Sequence, residues 1–146
     1  MFASALAAVR CFGGVLEHPR YSAAWATFGL PRPVGPTWQR NLFDEGWVCE
    51  IDQAEWGLVA HKPTWLYYVG PKVPPVLVGT HDASAARPGP KDLHSGHRHL
   101  TPPALRDALL DLVKPNPPRT RGQDLTPEPA TRPAGTSSPE REAQAR

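Results

Sequence analysis

The chain has 146 residues, 19 of them proline and 12 glycine, with a formal net charge of +2. The length fits one domain, the proline and glycine load excludes a uniformly regular fold, and near-neutrality excludes nucleic-acid binding driven by overall charge while leaving room for a local basic strip. No apolar run approaches the ~20 residues that span a bilayer, and no basic stretch precedes the apolar start at Met1–Val9, so the expectation is a cytoplasmic protein without membrane attachment. Cys11 and Cys49 lie in apolar surroundings without CxxC spacing and read as two buried, reduced thiols.

In chain order, Phe2 to Cys11 is rich in Ala and Leu and predicts a helix stopped by Gly13-Gly14. Val15-Leu16 reads as a short strand that cannot pass Pro19. Glu17 and His18 then fall at or just beyond its C-terminal end, where open α/β sheets bind ligands. Tyr21 to Phe28 predicts a short helix with Ser22 as N-cap, and residues 31–46 read as loop around Pro31-Arg32-Pro33. Trp47, Cys49 and Ile51 alternate with Val48 and Glu50, the period of a half-buried strand. Thr64 to Val69 is a second β-rich run, expected to pair with the first in antiparallel fashion. A short extended piece follows at Val76–Val78, then an irregular loop over 79–100. Thr101-Pro102-Pro103 opens a helix over Ala104–Val113, with Thr101 as N-cap and Leu105, Ala108, Leu109 and Leu112 on one face. From Pro115 to Arg146 no aromatic residue occurs, and the apolar surface is too small to offset the entropy of ordering. The expected organisation is one α/β domain over residues 1–114 and a disordered, Pro-rich tail over 115–146.

Several residues could carry chemistry. Glu17 can accept a hydrogen bond from a base amino group or, when protonated, donate one to a ring nitrogen; a lone Glu-His pair equally fits a capped turn beside a surface His18. Lys62 and Thr64 flank a strand where a phosphate contact is feasible, and such a lysine also blunts a sheet edge. His94, His97 and His99, with His81 and Asp82, invite a metal reading. The segment has no cysteine and no rigid framework, so it reads as a solvated basic loop and no metal is assigned. The five tryptophans are expected to build core and interface. Neither GxxxxGK[ST], GxGxxG nor GxSxG occurs, and neither cysteine lies in a Pro-Cys loop, so a self-contained nucleophilic enzyme is not expected.

Three segments, in this order, resemble the C-terminal half of phage and prophage DNA-methylase-like proteins related to cytosine methyltransferases of the class I fold. They are Val15-Leu-Glu-His-Pro19; Gly46-Trp47 through Asp52-Gln53 and Gly57 to Lys62-Pro-Thr-Trp-Leu-Tyr67 and Val69-Gly70; and Thr101-Pro-Pro-Ala-Leu105 with Ala108-Leu109. The resemblance implies that Glu17 contacts the target base and is the catalytic candidate, with Lys62, Thr64 and His18 as the nucleic-acid set. It implies a partial Rossmann-like sheet with flanking helices, Val15-Leu16 as a central parallel strand, and the 47–51 and 64–69 strands as an antiparallel pair at one edge. The family's S-adenosylmethionine loop and Pro-Cys nucleophile loop precede the first segment and are absent from this sequence. Gly57-Leu-Val-Ala-His61 stands where relatives show a basic Gly-His-x-Ala-Arg stretch. The chain is therefore expected to hold no cofactor of its own and to be inactive alone, with DNA and an N-terminal methyltransferase half or another protein as partners. A reading from another class is a small non-enzymatic protein that binds a protein or nucleic acid through an aromatic face.

Overall fold

The computed structural model describes residues 1–86 and 100–114. Helix α1 (Phe2–Phe12) leads into strand β1 (Gly14–Pro19), helix α2 (Ala23–Thr27), a two-residue strand β2 (Gln39–Arg40), strand β3 (Trp47–Asp52), a 3-10 turn (Gln53–Trp56), strand β4 (Pro63–Val69), a 3-10 turn (Ala83–Ala85) and helix α3 (Pro103–Val113). The junction after α1 is set by Gly13, whose φ of 78° is open to glycine and strained for other residues and whose N–H closes the helix on the Val9 carbonyl at 2.9 Å. Ser22 caps α2 through its hydroxyl, which accepts from the Ala24 N–H.

The strands form one sheet in the order β1-β4-β3-β2, every neighbour antiparallel. The 47–51 and 64–69 strands pair as expected, in a register that sets Cys49 opposite Leu66 and Ile51 opposite Thr64. The Rossmann-like layout expected for Val15-Leu16 differs: β1 lies at an edge of the described sheet and runs against β4, with Leu16 opposite Tyr67. The last strand inserts between the two earlier ones, which leaves β1 no parallel neighbour among the described residues. The strand also continues through Glu17, His18 and Pro19, because the antiparallel ladder extends to the Arg20 N–H, which reaches the Pro63 carbonyl at 3.1 Å.

Helices cover both faces. On one, Cys49, Ile51, Leu66 and Tyr68 meet Leu105 of α3, with Trp38, Trp56 and Leu77, and Ala108, Leu109 and Leu112 pack around them. On the other, Val48, Trp65 and Tyr67 meet Leu6 of α1, Trp25 of α2 and Leu30. β3 is therefore not half-buried as its alternation suggests: Val48 and Cys49 are both fully enclosed. Burying each such side chain contributes about 1.5–3 kcal/mol, and the indole N–H groups of three of the tryptophans are satisfied, whereas that of buried Trp56 finds no partner among the described residues. Trp25 donates to the Pro31 carbonyl (2.8 Å), Trp38 to the Pro75 carbonyl (2.9 Å) and Trp65 to Glu50 (2.7 Å).

Two further expectations are corrected. Thr101 does not cap α3, whose N-cap position is Pro102 with no side-chain cap bond. Cys11 is exposed on the outer side of α1, whereas Cys49 is buried and its thiol is pushed up to about 12 by burial. The apolar piece Val76–Val78 forms no strand. The proposed tail at 115–146 and the histidines at 94, 97 and 99 lie outside the described residues. Among the described residues no helix is long and apolar enough to cross a membrane.

Leu105 is wholly enclosed, so Leu105→Ala should cost about 2–5 kcal/mol in urea-melt stability; a loss under about 1 kcal/mol would show α3 to be loosely held. A thiol-specific disulfide reagent should titrate Cys11 at once and Cys49 only after denaturation, since only an accessible thiol with an ionisable sulfur reacts.

Candidate functional site

The alternation of β1 decides where its polar residues go. Val15 faces the α3 layer and Leu16 the α1 layer, so Glu17 follows Val15 to the α3 side and His18 follows Leu16 to the other. The Glu17 carboxylate accepts from Gln53 Nε2 at 2.5 Å through Oε1 and from the Thr101 hydroxyl at 2.8 Å through Oε2. Lys62 Nζ stands 3.6 Å from Oε1 and donates to the Leu100 carbonyl at 3.2 Å. Thr64 accepts from Gln53 Nε2 at 3.0 Å and donates to the Lys62 carbonyl at 2.9 Å. Glu17, Lys62 and Thr64 thus gather in one cluster, with Gln53 at its centre.

His18 does not join it. Its Nε2 meets the Ser22 hydroxyl at 2.6 Å, its ring packs edge-on against Phe2 with centroids 4.6 Å apart, and burial lowers its pKa. Nor is Lys62 turned outward as a strand-flanking cation: its side chain is 13% exposed and serves Glu17.

Gln53 and Asp52 are the residues at this site that chemical reading of the sequence misses. Both belong to the second resembling segment, yet neither residue type announces a role. Gln53 is fully buried, spends its amide nitrogen on Glu17 and Thr64, and leaves Oε1 without a partner among the described residues. Asp52 organises the turn that presents it, accepting from the Ala54 N–H (3.0 Å), the Lys62 N–H (2.9 Å) and His61 Nδ1 (2.7 Å). An Asp before a tight turn is the available signal, because its carboxylate mimics a backbone acceptor two residues on.

Glu17 opens on a groove of about 510 Å³ between the end of α1, β1 and α3, where Phe12, Val15, Leu109 and Leu110 supply apolar walls and Arg106 a cation. One carboxylate oxygen pair, clamped by an amide, a hydroxyl and an ammonium, can hold a fixed acceptor toward a ligand in that groove. Among the described residues no group of three or more His, Cys, Asp or Glu side chains is placed to hold a metal ion. No family model, curated protein or solved structure matches the chain.

Burial pushes the Asp52 carboxyl up, but the donations from Ala54, Lys62 and His61 outweigh it and hold the folded pKa below the ordinary range. Such a group stabilises fully above its unfolded pKa of about 3.9, and that contribution is lost as pH falls through the lower folded value. Thermal melts should therefore drop as pH falls below about 5 and on through the depressed folded pKa, and Asp52→Asn should make that drop shallower. Equal drops in the two proteins would remove Asp52 as its source.

Proposed function

We propose that this chain is the C-terminal segment of a DNA-methyltransferase-like protein, in which Glu17 contacts the target base, and that methyl transfer requires a cofactor-binding half contributed from outside these residues. One observation carries the reading. The three segments that resemble the family, far apart in sequence, converge side chain to side chain: Glu17 from the first, Gln53, Lys62 and Thr64 from the second, and Thr101 from the third. Residues that resemble a family separately and meet at one carboxylate are more simply explained by a shared site than by separate coincidences.

The same reading gives the edge of β1 a purpose. The ladder bond from Arg20 to Pro63 fixes the phase, so His18, Leu16 and Gly14 direct their backbone groups at β4 while Val15 and Glu17 direct theirs outward. Exposed Phe12, Leu110 and Val113 border that edge. A parallel strand from the cofactor-binding half, laid along β1, would make β1 the central strand of a Rossmann-like sheet and cover this surface. S-adenosylmethionine would be held wholly by that half, since this chain has no Gly-rich loop.

The test is discrimination among bases by the 146-residue protein. Duplexes carrying one mismatched, easily extruded base are compared with cytosine, thymine, adenine or guanine at that position, at about 50 mM salt. Wild type should prefer one base by about tenfold, and Glu17→Gln should abolish the preference, a contact of this kind contributing about 1–3 kcal/mol. Gln retains an acceptor for Gln53, and the Thr101 hydroxyl can reverse its bond, so the fold should survive. Absence of any preference in wild type at that salt would sink the role of Glu17.

A further inference from the structure

On the opposite side of the sheet from Glu17, the chain leaves β1 through a tight turn in which the Ser22 N–H bonds the Pro19 carbonyl at 3.3 Å. The third residue of the turn is Tyr21, with φ of 62°, a left-handed conformation that favours glycine and is strained for a bulky side chain. The strain is not offset by burial of the ring, because Tyr21 is 60% exposed. An exposed aromatic held in a costly backbone conformation points to a use for the ring at that place.

Its surroundings indicate the use. The Arg20 guanidinium lies 4.4 Å from the Tyr21 ring centroid and that of Arg32 5.2 Å from it, while Arg32 is also 5.9 Å from the Trp65 ring. Trp65 meets Tyr21 edge-on with centroids 5.6 Å apart. The platform beneath is rigid. Trp65 and Trp25 are buried and in contact at 5.5 Å, Trp65 donates to Glu50, and the other Glu50 oxygen holds Arg20 at 3.1 Å. Arg32 sits between Pro31, whose carbonyl accepts from Trp25, and buried Pro33, so its backbone is fixed on both sides. Arg32 is exposed, and among the described residues no carboxylate pairs with it.

We infer that Arg20, Tyr21 and Arg32 form a contact surface for single-stranded nucleic acid, the guanidiniums taking adjacent backbone phosphates and the exposed part of the Tyr21 ring taking a base. A guanidinium stacked on an aromatic face keeps its N–H fork free in its own plane, so phosphate binding does not require it to leave the ring. Arg32 supplies the uncompensated charge and Arg20, half neutralised by Glu50, the second donor. The surface is local, which is how a chain of charge +2 can bind a polyanion without a basic overall balance. The choice of DNA over RNA as the strand rests on the methyltransferase-like reading; the surface itself does not.

The experiment is fluorescence anisotropy with a labelled oligo-dT strand and the same sequence as duplex, using the full chain and the variants Arg32→Ala, Tyr21→Gly and Lys62→Ala over a salt series. Tyr21→Gly removes the ring while relieving the left-handed backbone, so its melting temperature should be unchanged or higher and a loss of binding is not a loss of fold. Wild type should bind the single strand more tightly than the duplex. Tyr21→Gly and Arg32→Ala should each weaken single-strand binding about tenfold, and Arg32→Ala should lower the salt slope by about 0.7. If wild type binds and only Lys62→Ala weakens it, this surface is overturned while the Glu17 reading stands. If Tyr21 and Arg32 matter but the base preference does not depend on Glu17, the surface stands without that reading. No binding of either strand form at about 50 mM salt would overturn the surface.

Discussion

The rest of the structure depends on β4 lying between β1 and β3. It hydrogen-bonds to both neighbours, and its side chains from Thr64 to Tyr68 are all buried, alternately under α3 and under α1 and α2. A strand enclosed on both faces and both edges has no free polar backbone to spare, so its register is closely determined. That register fixes Glu17 opposite Leu66 and Glu50 opposite Trp65. The 3-10 turn after β3 is then brought back onto the strand end, with the Gln53 N–H reaching the Lys62 carbonyl at 3.3 Å.

From that register two polar devices arise on opposite faces of one strand end. On the α3 side a carboxylate from one segment is clamped by residues from two others. On the other side an exposed tyrosine lies against two guanidiniums above a buried pair of tryptophans. The first ties α3 to the sheet: Thr101 does not cap its helix but spends its hydroxyl on Glu17, and α3 begins without a side-chain cap. The cost of an uncapped helix start, about 1 kcal/mol, is accepted where the hydroxyl has a charged partner, and charge-assisted bonds are the stronger kind.

The placement of cations follows the same economy. Lys62, which from its position before a strand reads as a phosphate contact, is drawn inward by Glu17, and Arg32, which reads only as part of a proline-rich loop, is held outward and uncompensated. Neither outcome follows from residue type. Each follows from which carboxylate the sheet register brings within reach.

The sequence by itself determined the longer elements, though not β2 or the two 3-10 turns. Alanine and leucine with Gly13-Gly14 set α1, Ser22 set the start of α2, the β-rich runs set β3 and β4 with their antiparallel pairing, and the leucine spacing set the buried face of α3. These are local consequences of propensity, period and turn chemistry. It also singled out Glu17, Lys62, Thr64 and Thr101 as members of resembling segments. Only the tertiary structure decided that β1 is an antiparallel edge of the described sheet, that β3 is covered on both faces, that Cys11 is outside, that His18 stands apart from Glu17, and that Gln53 joins the cluster. The reason is physical. Alternation along a strand says which residues share a face, but which face is covered, and by what, depends on where distant strands and helices pack, and the sequence carries that information only through long-range contacts that no local window contains.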